Sequence, residues 1–402
     1  MYSAEVIICG GGIIGLTIAR ELIKTGTSSI IIIDKEEELG RHASGRNSGV
    51  LHAGIYYDPG TLKAKMCLKG NQLMQQYCEV HGLPLFKSGK VIVTRTADEL
   101  STLDELEQRA MANGGNVEMI DAKQLGEIEP NAKTVERALY SPLTAVVDPK
   151  TILAHMRLEL ERTGKVRFFL GTRFIDKGTK NVIKTNKCDI GYDLFINAAG
   201  SYSDKVAQAF GIAENFRLLP FKGIYRLLKK PAAAKINGSI YPVPNIKNPF
   251  LGVHFTRSVH GNVYVGPTAI PAFGRENYGI LRGIDKELPS ILWRDIEMFL
   301  ENKKFRDVAL EEPRKYLYKY FYKDAEKLVK HLTPHDMRPS PKVGIRPQLV
   351  DIRTKEMVMD FLIERYDNTI HILNSISPAF TSSMYFAELV VKNYVQGKQN
   401  TI

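Results

Sequence analysis

The sequence has few cysteines, and their arrangement suggests neither a metal site nor a disulfide framework. The 402 residues include four cysteines, at Cys9, Cys67, Cys78 and Cys188. None of them forms a Cys-x-x-Cys pair, which is the usual sign of a zinc site or a redox motif. We therefore expect no metal site, and we interpret the four residues as buried thiols of a protein in a reducing cytoplasm.

Long apolar runs are also missing. No stretch approaches the roughly 18 uncharged apolar residues of a transmembrane helix. The apolar run before Gly10 is too short for the hydrophobic region of a signal peptide, so we expect none. Both absences favour a cytoplasmic protein. A length of 402 residues exceeds what one simple core usually holds and predicts two domains.

Basic residues are numerous but never form a long block. The formal net charge is +11, and the 55 lysines and arginines are spread along the chain. Nucleic-acid-binding proteins usually cluster these residues, so we expect no nucleic-acid partner and only weak steering of anionic substrates. Residues 314–323 interleave basic and aromatic side chains. A helix with a partly buried aromatic face is the favoured interpretation, and peripheral contact with the inner face of a membrane stays open.

A strand, a glycine-rich turn and a helix open the chain. Gly10, Gly12 and Gly15 match the pattern G-x-G-x-x-G, in which the glycines allow a tight turn, approach of a pyrophosphate and close packing of helix on strand. The apolar run at residues 30–33 predicts a buried parallel strand, and Asp34 follows at about the 20-residue spacing expected for a ribose-binding carboxylate. Together these features predict a dinucleotide site.

The motif alone does not decide between FAD and NAD. Residues 41–49 (RHASGRNSG) form a loop that is rich in hydrogen-bond donors and glycine. Such a loop suits the larger cofactor, whose phosphates and ribityl chain need additional polar partners. The loop favours FAD, and an NAD-linked dehydrogenase remains an alternative at this point.

Residues 45–57 (GRNSGVLHAGIYY) resemble the flavin-loop signature of the L-2-hydroxyglutarate dehydrogenase/oxidase family, which belongs to the D-amino-acid-oxidase-like FAD superfamily. Further segments resemble that family in its own order, at 197–204, 220–223, 241–244, 250–256, 266–276, 344–348 and 377–383. One departure is Phe380, which stands where a small residue is expected in the last segment.

The resemblance and the order of the predicted elements imply a mixed α/β and α+β fold. A Rossmann-like FAD-binding domain, with a mostly parallel sheet and helices, is interleaved with a substrate domain built on an antiparallel sheet. The predicted bounds are 1–85, 148–215 and 340–402 for the FAD-binding domain, and 86–147 and 216–339 for the substrate domain.

The resemblance also implies which residues contact the FAD. These cofactor-binding residues are Gly10, Gly12, Ile13, Ile14, Gly15, Asp34, Lys35, Arg41, Ser44, Asn47, Ser48, Gly49, Ala198, Ala199, Gly200, Gly344, Arg346, Pro378, Ala379 and Thr381.

The implied reaction is oxidation of L-2-hydroxyglutarate to 2-oxoglutarate, with hydride transfer from C2 to flavin N5. The hydroxyl proton needs a base, and His52 and His254 are both candidates because histidine titrates near neutral pH. Arg346 and Lys222 are the candidate cations for the two substrate carboxylates. The tyrosines predicted to donate further hydrogen bonds are Tyr57 and Tyr241.

Two other classes of function stay open. The first is a related FAD enzyme that acts on an amino acid or on glycerol 3-phosphate. The second is a flavoprotein that binds FAD without turnover. The electron acceptor, oxygen or a quinone, and the oligomeric state are not legible in the sequence.

Overall fold

The computed structural model describes residues 2–245 and 251–397. Within it the chain divides into two compact units. The first comprises Met1–Asn47, Pro149–Pro220 and Arg346–Ile402, and the second comprises Ser48–Asp148 and Phe221–Ile345. Phe250 of the family-like segment 250–256, with residues 1 and 398–402 of the predicted first domain, lies outside the described residues.

The observed division differs from the predicted one at four places, and the smallest is Asp148, which belongs to the second unit. Residues 48–85 belong to the second unit, because strand Val50–Leu51 pairs with Ala145–Val147 in a small sheet of that unit. Residues 216–220 belong to the first unit, where Leu218 is buried in a cluster with Leu373. Residues 340–345 belong to the second unit.

A parallel sheet forms the centre of the first unit. Strand Tyr2–Cys9 pairs in parallel with Ile30–Ile33 on one side and with Asp189–Asn197 on the other. The parallel series continues to Val166–Phe169 at one end and to Thr369–Asn374 at the other. The antiparallel strands at the margins are Phe174–Lys177, Val182–Thr185 and Leu362–Tyr366.

The helices of the first unit begin with the one predicted to follow the glycine-rich turn. They are Ile13–Lys24, Ala43–Arg46, Pro149–Arg162, Ser203–Ala209 and Ala379–Val390, with a short turn at Gly200–Tyr202 and a wider turn at Val391–Val395. All four isoleucines of the strand Ile30–Ile33 are buried, which confirms the interpretation of this apolar run as a central parallel strand.

The second unit is built on a mostly antiparallel sheet. Its strands within the unit are Lys90–Val93, Glu118–Asp121, Arg137–Ser141, Ser239–Pro242, His254–Arg257, Val263–Gly266 and Ile270–Pro271. One pair, Ser239–Pro242 with Lys90–Val93, is parallel. A small separate sheet joins Val50–Leu51, Leu85–Phe86 and Ala145–Val147. Two longer strands, Phe216–Leu228 and Met337–Asp351, contain the points at which the chain passes between the units. Strand Glu356–Met357 pairs with the end of the second of these.

Helices flank this sheet. They are Leu62–Val80, Leu100–Ala112, Ala122–Ile128, Lys230–Ala233, Leu288–Glu301, Lys303–Glu311 and Tyr318–Glu326, with short turns at Ala97–Glu99, Glu312–Tyr316 and Pro334–Asp336. Several start where a side chain caps the first turn. The Thr61 hydroxyl accepts from the Ala64 amide at 3.2 Å, and Asp121 and Gln124 form a reciprocal capping box.

The apolar residues separate into a cluster on each face of the larger sheet. Val91, Val93 and Phe255 pack on one face, whereas Ile92 and Tyr241 pack on the other against the helix Leu100–Ala112. This alternation follows from the two-residue period of a strand.

The cysteines form no disulfide. Cys9, Cys67 and Cys78 are buried, whereas Cys188 is only half-buried, so the prediction of four buried thiols is wrong at that position. Across the described residues, none of the helices combines the length and apolar character needed to cross a membrane.

Candidate active site

Three backbone segments meet tightly at the carboxyl end of the first strand. Gly10 has a φ of +118°, and a Cβ atom there would lie 2.3 Å from the carbonyl oxygen of Ala198. A Cβ on Gly15 would lie 2.0 Å from the carbonyl oxygen of Gly10. Only glycine is compatible with both contacts, because such distances are far inside van der Waals contact. The roles predicted for these two glycines thus have a structural basis.

The fingerprint helix, Ile13–Lys24, begins directly after this turn. The Ile13 amide donates to the Ser44 hydroxyl at 3.0 Å, so Ser44 lies at the helix N-terminus, and its contact with the cofactor stays a prediction. No acidic residue lies in the first turn. The positive end of the helix dipole therefore has no carboxylate of its own first turn beside it, which suits a diphosphate.

Asp34 ends the second strand of the parallel sheet. One carboxylate oxygen accepts from the Gly11 amide at 2.8 Å, and the other accepts from the Glu36 amide at 2.9 Å. Each oxygen has two lone pairs, so one remains on each for a hydroxyl donor. This arrangement fits the ribose-binding role predicted for Asp34.

A charged cluster that the sequence did not indicate follows Asp34. Lys35, predicted to bind cofactor, contacts the Glu36 carboxylate, and its Nζ lies 2.9 Å from His42 Nε2. His42 Nε2 also lies 3.0 Å from Glu36 Oε1. Burial opposes ionisation of Glu36, but its hydrogen bonds to Lys35 and His42 outweigh that effect and hold its pKa at about 2. The Lys35 ammonium is therefore already paired within the unit.

The remaining cofactor-binding predictions in the first unit differ in their surroundings. Arg41 is exposed and pairs with Glu38 at 3.0 Å. Asn47 donates to the Ser44 carbonyl at 2.8 Å, at the end of the short helix. The Ala198 amide donates to the Cys9 carbonyl at 2.9 Å, and Ala199 and Gly200 continue that turn.

The last segment lies at the end of the neighbouring parallel strand. Helix Ala379–Val390 begins after Pro378, with Thr381 buried in its first turn. Because the carboxyl ends of parallel strands lie along one edge of a sheet, the segments at 10–15, 198–200 and 378–381 share that edge. Phe380 is half-buried there and replaces the small residue expected.

In the second unit, two side-chain amides, the buried one of Asn71 and the half-buried one of Asn113, fix the loop that carries His52. The Asn71 amide donates to the carbonyls of Leu51 and His52, each at 3.0 Å. The Asn113 amide donates to the carbonyls of Gly54 and Tyr57, each at 2.9 Å. Sequence reasoning missed both asparagines. Each occurs in a helical stretch far from the loop, and neither belongs to a recognisable motif.

The start of the same loop contains two predicted cofactor residues. The Gly49 carbonyl accepts from the Val147 amide at 2.9 Å, which aligns the small sheet. The Ser48 hydroxyl lies 3.4 Å from the Val50 amide. Their contact with a cofactor stays a prediction.

His254 and Tyr241 form a stacked pair. Their ring centroids lie 3.8 Å apart with an interplanar angle of 18°, and both residues are buried. His254 Nδ1 lies 2.8 Å from the carbonyl oxygen of Gly252. A carbonyl can only accept a hydrogen bond, so Nδ1 carries the proton and Nε2 of the neutral ring carries the lone pair. His254 is thus held in the tautomer that a base acting through Nε2 requires.

The two predicted cations have different surroundings. Lys222 is buried, and its Nζ donates to the Asn277 side chain and to the Gly279 carbonyl, each at 2.7 Å. These contacts favour a structural role. Arg346 is half-buried in the strand Met337–Asp351, and Gly344 lies two residues before it. The roles of all three at substrate or cofactor stay predictions.

The two-unit fold and the dinucleotide-binding geometry at the glycine turn, the helix N-terminus and Asp34 define a flavin-type oxidoreductase. Residues 5–393 match the family described as FAD dependent oxidoreductase (DAO). The chain belongs to this family of FAD-dependent oxidoreductases.

Curated relatives and solved structures agree with that assignment. The chain is 35% identical to the L-2-hydroxyglutarate dehydrogenase of Indibacter alkaliphilus, with 94% of this chain and 96% of that protein covered. It is 31% identical to the mitochondrial L-2-hydroxyglutarate dehydrogenase of Homo sapiens, with 98% and 89% covered. Its fold is similar to the FAD-bound L-α-glycerophosphate oxidase of Mycoplasma pneumoniae, with a TM-score of 0.76, 24% identity, and 98% and 94% covered.

FAD fits the residues of the first unit. The glycine turn brings backbone close to the helix N-terminus without side chains in between, and the Asp34 carboxylate retains acceptor capacity for ribose hydroxyls. The glycine turn, Ser44 and Asp34 would therefore hold the diphosphate and ribose portions of the cofactor.

Replacing Gly10 with Ala should remove FAD from the purified protein. The substitution adds a backbone strain of about 1–3 kcal/mol and a clash with Ala198, so we expect the FAD content to fall about tenfold or more. The ratio of flavin to protein absorbance measures this. Gly26→Ala is the matched control, because Gly26 also has a positive φ, +105°, but nothing within 4 Å of a Cβ. Equal FAD loss in both variants would show that strain alone, not the contact, is responsible.

Proposed function

We propose that this chain oxidises L-2-hydroxyglutarate to 2-oxoglutarate with FAD as its redox cofactor. The observation that carries the proposal is the buried His254 of a flavoprotein of this family, whose Nδ1–H bond to the Gly252 carbonyl leaves Nε2 as the basic nitrogen of the neutral ring. The named relatives support the substrate, since they match over nearly their whole lengths.

The reaction removes a hydride from C2 and a proton from the hydroxyl oxygen, leaving a carbonyl group. FAD, when bound, supplies the hydride acceptor. His254 Nε2 takes the hydroxyl proton, and the imidazolium that forms keeps its Nδ1–H bond to the carbonyl of Gly252. Tyr241 stacks on the ring and limits its rotation. Arg346 remains the predicted partner of the carboxylate next to C2.

L-2-hydroxyglutarate should bleach the flavin absorbance of the purified protein under anaerobic conditions. The D enantiomer, glycine and glycerol 3-phosphate should leave it unchanged, because neither the hydroxyl orientation nor the charge pattern matches. Bleaching by glycine or glycerol 3-phosphate alone would assign the chain to another substrate of the superfamily. No bleaching by any of the four would favour a flavoprotein without this activity.

Replacing His254 with Gln should lower kcat by about 10²–10⁴-fold, the usual contribution of a general base. Activity of the wild-type protein should rise with pH, since a general base must be unprotonated to accept the hydroxyl proton. We expect that limb of the pH profile to disappear in His254→Gln and to remain in His52→Gln. The reverse pattern would make His52 the base.

The exposed apolar side chains of the helix Leu288–Glu301 are relevant to the choice of electron acceptor. Leu292, Ile296 and Leu300 repeat every four residues and are all exposed, and Trp293 beside them is 60% exposed. The stretch 314–323 exposes Tyr316, Leu317 and Tyr320, but it buries Phe321, and its Lys315 pairs with Glu312 at 2.5 Å. We infer that the helix Leu288–Glu301, rather than that stretch, contacts a membrane surface, and that a lipid-soluble quinone is the electron acceptor in preference to oxygen.

Trp293 is the chain's single tryptophan and reports on this contact. Its emission should shift to shorter wavelength when vesicles of phosphatidylcholine and phosphatidylglycerol are added. Ile296→Glu should weaken vesicle binding about tenfold, since one buried aliphatic side chain contributes roughly 1.5–3 kcal/mol. Leu158→Glu is the control, because Leu158 is 50% exposed outside this helix. Unshifted emission and equal sedimentation of all three proteins would exclude the contact.

A further inference from the structure

Lys90 is a buried lysine whose charge has no evident counterpart. Its side chain is 1% exposed at the start of the strand Lys90–Val93. Within residues 2–245 and 251–397, its Nζ atom has no hydrogen-bond partner. Buried ammonium groups normally hydrogen-bond to an acceptor or pair with an anion, because an isolated buried charge is costly.

Aromatic rings and neutral groups surround this ammonium. Nζ lies 4.5 Å from the ring centroid of Tyr56 and 5.1 Å from that of Tyr241. Burial raises the pKa of Cys67, the nearby thiol, to about 12, and it raises the pKa values of Tyr56 and Tyr57 well above their usual range. All of these groups are neutral at pH 7, so none of them supplies a negative charge.

Two further unsatisfied groups lie in the same row of the sheet. Ser239 is paired with Thr256, and continuing the register of Ile240 with Val91 puts Ser239 beside Lys90. The hydroxyls of Ser239 and Thr256 are buried and have no hydrogen-bond partner among the described residues, and the Tyr56 hydroxyl is in the same state. Buried polar groups without a hydrogen-bond partner are rare in native proteins. The Lys90 ammonium and these three hydroxyls therefore indicate that a polar ligand binds among them.

We propose that Lys90 binds the carboxylate of the substrate that is remote from C2, with the Ser239, Thr256 and Tyr56 hydroxyls as additional donors. This inference rests on the proposed function and names a specificity determinant for it. A carboxylate oxygen accepts from ammonium and hydroxyl groups alike, and its charge compensates that of Lys90.

The position of Tyr241 favours the remote carboxylate over the one beside C2. Its strand lies between the strand of Lys90 and the strand of His254. The centroid of the Tyr241 ring lies 5.1 Å from Lys90 Nζ and 3.8 Å from the centroid of the His254 ring, so Lys90 Nζ and the His254 ring centroid are separated by at most the sum of these distances. A five-carbon chain bridges that span, whereas the carboxylate beside C2 would lie close to the base.

The titration of Lys90 agrees with this geometry. Burial lowers its pKa to about 7. Above that pH the free protein holds a neutral amine, so binding of a dicarboxylate must take up a proton. Calorimetric titration with glutarate at pH 8, in buffers of different ionisation enthalpy, should register about one proton per molecule bound.

The test compares Lys90→Met with the wild-type protein on two substrates. L-2-hydroxyglutarate carries the remote carboxylate, and L-2-hydroxybutanoate lacks it. We expect kcat/KM for L-2-hydroxyglutarate to fall about a hundredfold in the variant, and that for L-2-hydroxybutanoate to stay within about twofold. Proton uptake on glutarate binding at pH 8 should disappear.

Stability supplies a second readout that a merely structural lysine would not give. Because its folded-state pKa is lowered, Lys90 destabilises the ligand-free protein most at and below pH 7, and this effect fades as pH rises towards 10. Lys90→Met should therefore raise Tm at pH 7. Lys315→Met is the matched control, since it removes a buried lysine that is paired with Glu312. It should lower Tm and leave the preference between the two substrates unchanged.

The outcomes separate this inference from the proposed function. If the wild-type protein oxidises L-2-hydroxyglutarate but Lys90→Met retains its preference for it and its glutarate affinity, the assignment of Lys90 is wrong and the function stands. Equal losses on both substrates would also overturn the assignment. If the wild-type protein binds glutarate through Lys90 but does not oxidise L-2-hydroxyglutarate, the proposed reaction is wrong and the carboxylate site stands.

Discussion

The close approach of backbone to backbone at Gly10 is the constraint on which the first unit depends. The turn after the first strand must pass the Ala198 carbonyl on one side and the start of the fingerprint helix on the other, and Gly15 faces the Gly10 carbonyl in turn. No side chain fits either contact. The position of the helix N-terminus relative to the first strand follows from this packing, which explains why the glycine spacing can be recognised in the sequence.

The second unit is subject to a different constraint, because the irregular loop that carries His52 must keep one conformation. Asn71 and Asn113 do this with side-chain amides that replace the hydrogen bonds a strand or helix would supply. A side-chain amide that serves two carbonyls leaves the loop few alternative conformations. The candidate base His52 therefore lies on a loop whose backbone is hydrogen-bonded by side chains instead of by a sheet.

Sequence patterns correctly predicted the elements that depend only on adjacent residues. The β-α-β start and the buried strand at Ile30–Ile33 were confirmed, because glycine spacing and apolar runs are properties of adjacent residues. The domain bounds were displaced, since Val50–Leu51 joins the second unit through a partner almost a hundred residues later. Lys90 illustrates the same limit. A lysine at the start of a strand is expected to reach solvent, and only Tyr56 and Tyr241, brought near by tertiary packing, show that its ammonium group is covered.

Unsatisfied polar groups around Lys90 also explain how such a site would select its ligand. In the ligand-free protein, burial of the ammonium and of the Ser239 and Thr256 hydroxyls opposes folding. A ligand with a carboxylate at the right distance relieves this penalty, whereas a shorter or uncharged ligand leaves the groups buried and unpaired. The protein then discriminates between ligands mainly because a wrong ligand leaves these buried groups without hydrogen bonds. This penalty is larger than the gain from any single contact that the right ligand adds. A protein that tolerates this instability in its resting state obtains selectivity without needing a tighter fit.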